Sequence, residues 1–147
     1  MSIKYVLIEG LPEQHLDAIC HAADTFEPIP RDGLVSHLNH QHNILSCFAY
    51  DGDQLVGYKI GYQIRQYYFE SWIGGVIPSH RRQGIASRLI KLQHQWCFEH
   101  GFHYVSTMTE GNNQAMIITN LKAGFGIIGT MHTRNQILIV IMEKHLR

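Results

Sequence analysis

The apolar positions of the chain fall into short runs with two different periods. Tyr5–Ile8 is a compact apolar stretch and reads as a strand. From Leu11 to Thr25 the positions Leu11, Leu16 beside His15, Ile19 and Ala23 follow a roughly helical spacing. Pro28 and Pro30 stop that helix. A second, shorter helix runs through Leu34–Leu38, with polar His37, Asn39, His40, Gln41 and His42 about its end. Strands then dominate: Ile44–Tyr50, a turn at Asp51-Gly52-Asp53, Leu55–Gln63, and Tyr67–Ile77, which Pro78 ends. Ile85, Leu89, Leu92 and Trp96 then mark one face of a helix that Gly101 caps. Tyr104–Thr109 is a strand and Ala115–Ala123 a helix ending at Gly124. Thr130–His132 and Ile137–Glu143 flank Thr133-Arg134-Asn135-Gln136 as a closing hairpin. The predicted order, β α α β β β α β α β β, is that of a mixed α/β domain built on one sheet. No repeat or linker interrupts it, so residues 1–147 read as a single domain.

Composition narrows the class. Of 147 residues, 45% are hydrophobic and 16% charged, which excludes a disordered chain. The 12 basic and 12 acidic residues cancel, which argues against nucleic-acid binding by bulk charge. The longest apolar run, Ile137–Met142, is far too short to span a membrane. The opening MSIKYVLIEG lacks the apolar core and cleavage site of a secretory signal. Cys20, Cys47 and Cys97 form neither a CxxC pair nor a disulfide framework, so a reduced, cytoplasmic protein with cysteines in its core is expected. An exposed apolar last strand over Ile137–Met142 would favour a homodimer.

The neutral sum conceals an asymmetry. Residues 1–80 carry nine acids and four bases, and residues 81–147 carry eight bases and three acids. Arg81, Arg82, Arg88 and Lys91 cluster without an intervening acid, which suits a small anionic ligand. They lie in the segment ESWIGGVIPSHRRQGIAS, Glu70–Ser87: an apolar strand, a proline stop, a basic turn with one glycine, then an amphipathic helix. The unpaired N–H groups at a helix start attract anions, and Gly84 lets backbone approach a phosphate closely. No Walker loop occurs.

The run V-x-P-x-x-R-R-x-G-I-A, between an apolar strand and a helix, resembles motif A of the GNAT superfamily of N-acetyltransferases. Arg81-Arg82-Gln83-Gly84-Ile85-Ala86 satisfies its [QR]-x-x-G-x-[GA] pattern. Downstream, Asn113-Gln114-Ala115-Met116 through Asn120-Leu121-Lys122-Ala123-Gly124-Phe125 is similar to the N-x-x-[AM]…K-x-G-F stretch of that family, and Ile139–Lys144 to its last strand. The resemblance implies the GNAT fold, one mixed, mostly antiparallel, splayed sheet flanked by helices. It also implies acetyl-CoA as co-substrate, with no metal. Gly74, Gly75 and Val76 would pair with the pantetheine arm, and Gly74-Gly75 would suit the bulge that splays the strands. The N–H groups from Arg82 to Ala86, through Gln83, Gly84 and Ile85, would hold the pyrophosphate, with Arg81 adding charge and Ser87 a hydroxyl. Asn113 would lie beside the pantetheine.

Glu70 is the candidate general base. It is a single acid in an apolar strand, where partial burial raises a carboxyl pKa toward the useful range. It also matches the base position of the histone-acetyltransferase branch, six residues before Val76. Asn120 stands where many family members carry a tyrosine that protonates the leaving thiolate; an amide has no such proton. The amides of Gly75 or Val76 would polarise the thioester carbonyl. The resemblance implies an amine acceptor, of a small molecule or peptide, which the first helices and the Ile64–Tyr68 region would wall; there Arg65, Tyr67, Tyr68, Glu27 and Asp32 are mixed in character. A silent acyl-CoA-binding module is the competing reading. Two other signals are set aside. Gly124–Gly129 spells GxGxxG, but a helix precedes it and a strand follows, the reverse of a dinucleotide turn. His37, His40 and His42 lack a neighbouring Cys or carboxylate and read as surface residues at a helix end.

Overall fold

A computed structural model describes residues 2–147. Its elements follow the predicted order: β1 (Ile3–Glu9), α1 (Leu16–Ala23), α2 (Arg31–Leu38), β2 (His42–Asp51), β3 (Gln54–Arg65), β4 (Tyr68–Val76), α3 (Ile85–Glu99), β5 (Tyr104–Glu110), α4 (Gln114–Lys122), β6 (Gly126–His132) and β7 (Leu138–His145). The seven strands form one sheet in the order β1-β2-β3-β4-β5-β7-β6. Every neighbouring pair is antiparallel except β4 and β5 in the middle. This is the mixed, mostly antiparallel sheet expected of the fold.

The parallel pair is short. Residues 68–71 of β4 pair with 104–107 of β5, after which the strands part. A bulge accompanies the parting: Ile60 of β3 faces Ile73, but Gly61 faces Ser71, leaving Trp72 as the extra residue. Bulges bend a strand and increase its twist. The bulge therefore sits at Trp72 and not at Gly74-Gly75, which keep regular register with Lys59 and Tyr58. Those glycines serve close packing. A Cβ at Gly75 would run into the Phe26 ring. One at Gly74 would lie 3.0 Å from the Tyr58 carbonyl oxygen and 3.3 Å from Lys59 Cγ.

Both sheet faces are covered. Leu16, Ile19, Ala23, Leu34 and Leu38 bury the inner sides of α1 and α2. On the other face α3 buries Ile85, Leu89, Ile90 and Cys97. Each of these leucine and isoleucine side chains contributes about 1.5–3 kcal/mol on burial. The buried stripe of α3 is rotated from the expected one. Leu92 and Trp96 are only partly covered, and polar Gln93 and His94 point inward instead. The last strand is not an exposed edge. β7 lies between β5 and β6, with Val140 and Met142 buried, and the edge is β6, where Ile127, Ile128 and Met131 are exposed. Cys47 and Cys97 are core residues, while Cys20 is partly exposed. Among the described residues no helix is long and apolar enough to cross a membrane.

Candidate active site

The turn between β4 and α3 is held from below. Pro78 opens a single 3-10 turn, Pro78–His80. His80 Nε2 pairs with Asp51 Oδ2 at 2.8 Å, and its Nδ1 shares a 2.8 Å hydrogen bond with Ser79 Oγ. The turn is thereby fixed to the β2–β3 hairpin. Arg81 folds back as well: its Nε donates to the Val76 carbonyl at 2.9 Å, and its guanidinium sits 5.6 Å from the Phe26 ring centroid. Arg81 thus clamps the end of β4.

Beyond the clamp the backbone is unusual. Arg82 has φ +63° and Gly84 has φ +80°, both left-handed. A Cβ at Gly84 would meet nothing within 4 Å, so the dihedral and not crowding calls for glycine there. Among the described residues the N–H groups of 82–87 have no hydrogen-bond partner; Arg88 N, donating to Gly84 O at 3.0 Å, is the first that has one. No acid occupies the first turn of α3 to offset its positive end. Arg82, Gln83, Gly84 and Ser87 face solvent. Successive free donors at a helix start form a cradle for an anion.

A groove leads from this cradle along β4 into the parting of the sheet. Gly74, Gly75 and Val76 form one wall, Ala86, Leu89 and Ile90 of α3 another, and Met116 of α4 faces them. Lys59 and Tyr58 complete the lining. Asn113 stands at the start of α4, where its Oδ1 accepts from Met116 N at 3.3 Å. Asn120 is buried on the inner side of α4. Its Nδ2 approaches Thr109 Oγ1 at 3.5 Å and Met142 Sδ at 3.8 Å, and its Oδ1 has no partner.

Glu70 lies where β4 and β5 are still paired, just before they part. Strand register places Tyr62, Glu70, Ser106 and Glu143 in one row across four strands. Ser106 Oγ donates to Glu70 Oε2 at 2.5 Å. Burial raises the Glu70 carboxyl above its usual range, and the serine hydrogen bond offsets part of that rise. Burial, with a smaller contribution from Glu70, pushes the Tyr62 phenol up to about 12. Tyr62 shares a 2.7 Å hydrogen bond with His37 Nε2, and His37 stacks on Trp72 at 3.8 Å between ring centroids. His37 is therefore not the free surface histidine that its position suggested. On the adjoining row Tyr68 stacks on Tyr104 at 4.4 Å, with the Arg65 guanidinium 3.9 Å from the Tyr68 ring. Glu27 and Asp32 are exposed and lie outside these rows.

Ser106 and Tyr62 were not singled out from sequence, and His37 was read only as a surface residue at a helix end. Only the parallel pairing of β4 with β5 brings Ser106 beside Glu70, and no local pattern encodes that.

The sheet parts beside the free donors at the start of α3, and the half-buried Glu70 lies where the parting begins. Residues 14–125 match the acetyltransferase (GNAT) family, and the chain belongs to that family. That family draws its acetyl group from acetyl-CoA. A probable N-acetyltransferase of Arabidopsis thaliana is 43% identical over 49 residues, 33% of this chain and 12% of that protein's length. Among solved structures, a ribosomal-protein-alanine N-acetyltransferase of Escherichia coli superposes with TM-score 0.83 at 16% identity, covering 97% of this chain and 94% of its own. The NatC complex bound to Gag peptide and CoA contains a chain similar with TM-score 0.79 at 17% identity over the full length of both. At such identities the likeness establishes the fold.

Proposed function

We propose that the chain transfers acetyl from acetyl-CoA to a primary amine by direct attack, within one domain. The free N–H groups of residues 82–87 suit the pyrophosphate, and Arg82 and Ser87 add charge and a hydroxyl. Gly74, Gly75 and Val76 line the path of the pantetheine arm, with Met116 and the Asn113 cap opposite. The amides of Gly75 or Val76 serve the thioester carbonyl. Arg81 acts by fixing the turn, and Asn120 by holding α4 against β5.

The observation that carries the reading is Glu70 in hydrogen bond with Ser106, at the point where the strands separate. An alkyl ammonium titrates near ~10, so a base must take its proton before attack. A carboxylate with a raised pKa does this better than an exposed one. The acceptor enters past an aromatic wall of Tyr62, Trp72, Tyr68 and Tyr104, which fits an amine on a small molecule or a peptide.

The test is CoA release across a panel of amines, for the wild type and Glu70→Gln. We expect turnover with some amines and a loss of ~10²-fold or more in the variant. Full activity in Glu70→Gln removes the base assignment. Binding of acetyl-CoA without turnover on any amine would make the chain a silent binding module.

A further inference from the structure

Among the described residues that line the groove, Lys59 alone is charged. It lies in the middle of β3, is 9% exposed, and belongs to none of the ion pairs among the described residues. Its stem crosses Gly74, which has to be glycine in part to let it pass. The titratable groups that face it are the Cys47 thiol from β2 and the His94 imidazole from α3. Neither can serve as a counter-ion. Burial holds the thiol up at about 12, hence neutral. Burial, then Lys144 and Lys59, press the imidazole down to about 3, and its Nδ1 lies 3.1 Å from Lys144 Nζ of β7. Burial lowers the Lys59 ammonium itself to about 8. An unpaired buried ammonium is costly, and an apolar side chain would pack there without that cost. Its position must answer to a negative charge that is present only at times.

We infer that Lys59 is the group that receives the sulfur of the departing CoA, stabilising it as a thiolate. This rests on the proposed binding of acetyl-CoA in the groove. Lys59 and Glu70 reach the parted strands from opposite faces. Lys59 pairs with Gly74 on the α3 side, and Glu70 shares its row with Tyr62 on the α2 side. As the amine nitrogen bonds to the carbonyl carbon, the C–S bond breaks and its electron pair passes to sulfur. The sulfur leaves as a thiolate paired with the Lys59 ammonium, and takes a proton from solvent as CoA departs. The proton from the amine goes to Glu70.

The test titrates the thiol of bound CoA. Full-length protein is saturated with CoA, without acceptor, and the ultraviolet thiolate absorbance is followed against pH as a difference from protein alone. The thiol should titrate at least ~1 pH unit below free CoA on the wild type, as beside any fixed opposite charge. On Lys59→Met, and on Lys59→Gln as a second neutral variant, it should titrate at or above free CoA while CoA stays bound. With acetyl-CoA and an acceptor, kcat should fall by ~10²-fold with little change in KM for acetyl-CoA. A bound thiol on the wild type that titrates with free CoA overturns the role of Lys59, as does an unchanged shift in the neutral variants. Failure of the wild type to bind CoA at all overturns the acetyl-CoA reading itself, and this inference with it.

Discussion

At the scale of single residues, the base role proposed for Glu70 and its effect on stability have opposite signs. Its carboxyl pKa is raised on folding, so between the ordinary value near ~4.3 and the raised one the folded state binds more protons than the unfolded. The contribution of Glu70 to stability is therefore present at low pH and lost as pH rises through the folded pKa. Glu70→Gln has no such loss and can keep a hydrogen bond to Ser106. Its melting temperature at neutral pH should exceed that of the wild type, and the gap should close on acidification below about pH 4.3. Thermal melts at several pH values read this directly. The rate should move the other way, rising with pH as Glu70 ionises. Arg82 offers a second residue-level test, because its φ of +63° suits glycine. Arg82→Gly removes the side chain and leaves the cradle of N–H groups intact; Arg82→Glu adds a repelling charge. Calorimetric titration with CoA should show a modest loss for the first and ~10-fold or more, about 1.4 kcal/mol, for the second. Equal losses would mean that the side chain, and not the backbone, holds the phosphates.

At the scale of elements, the glycine pair of β4 is a packing device that shapes the groove. Gly75 admits the Phe26 ring, which stands 6.2 Å from Tyr58 between centroids and beneath the Arg81 guanidinium. Gly75→Ala should lower stability by about 1–3 kcal/mol through overpacking. In a Phe26→Ala background the same change should cost far less, so denaturant melts of the four proteins should show a coupling. The order of elements was legible because apolar periods of two and 3.6 residues, with Pro78 and Gly124 as breaks, are local signals. The place of the basic turn between β4 and α3, and of Glu70 on β4, was legible for the same reason: strand, turn and helix are consecutive. What cross-strand register decides was not. The bulge at Trp72 depends on β3, the Ser106 partner of Glu70 on a parallel pairing across 36 residues, and the inward turn of Gln93 and His94 on how α3 rolls against the sheet. Lys59 escaped notice because a charged residue in an alternating strand reads as facing solvent.

At the scale of the molecule, the sheet is two blocks joined by a narrow seam. β1–β4 and β5–β7 are each bound by long antiparallel ladders, whereas β4 meets β5 only over 68–71 and 104–107. The charge asymmetry follows the chain through this seam, since the acidic residues 1–80 end at the basic turn where α3 begins. A ligand in the parting would add a bridge at the weakest join, touching β4, α3 and α4 together. It should therefore act on the whole fold. CoA at 100 times its dissociation constant stabilises by about 2.7 kcal/mol through mass action, which for a domain of this size is a rise in Tm of roughly 5–10 °C. Hydrogen exchange locates the effect. The amides of 82–87, unbonded among the described residues, and those of β4 beyond Ser71 should slow most, while β1 and β2 should change only as global stability does. A rise in Tm with protection confined to β1 and β2 would place CoA elsewhere, and would remove the seam from the account of both binding and catalysis.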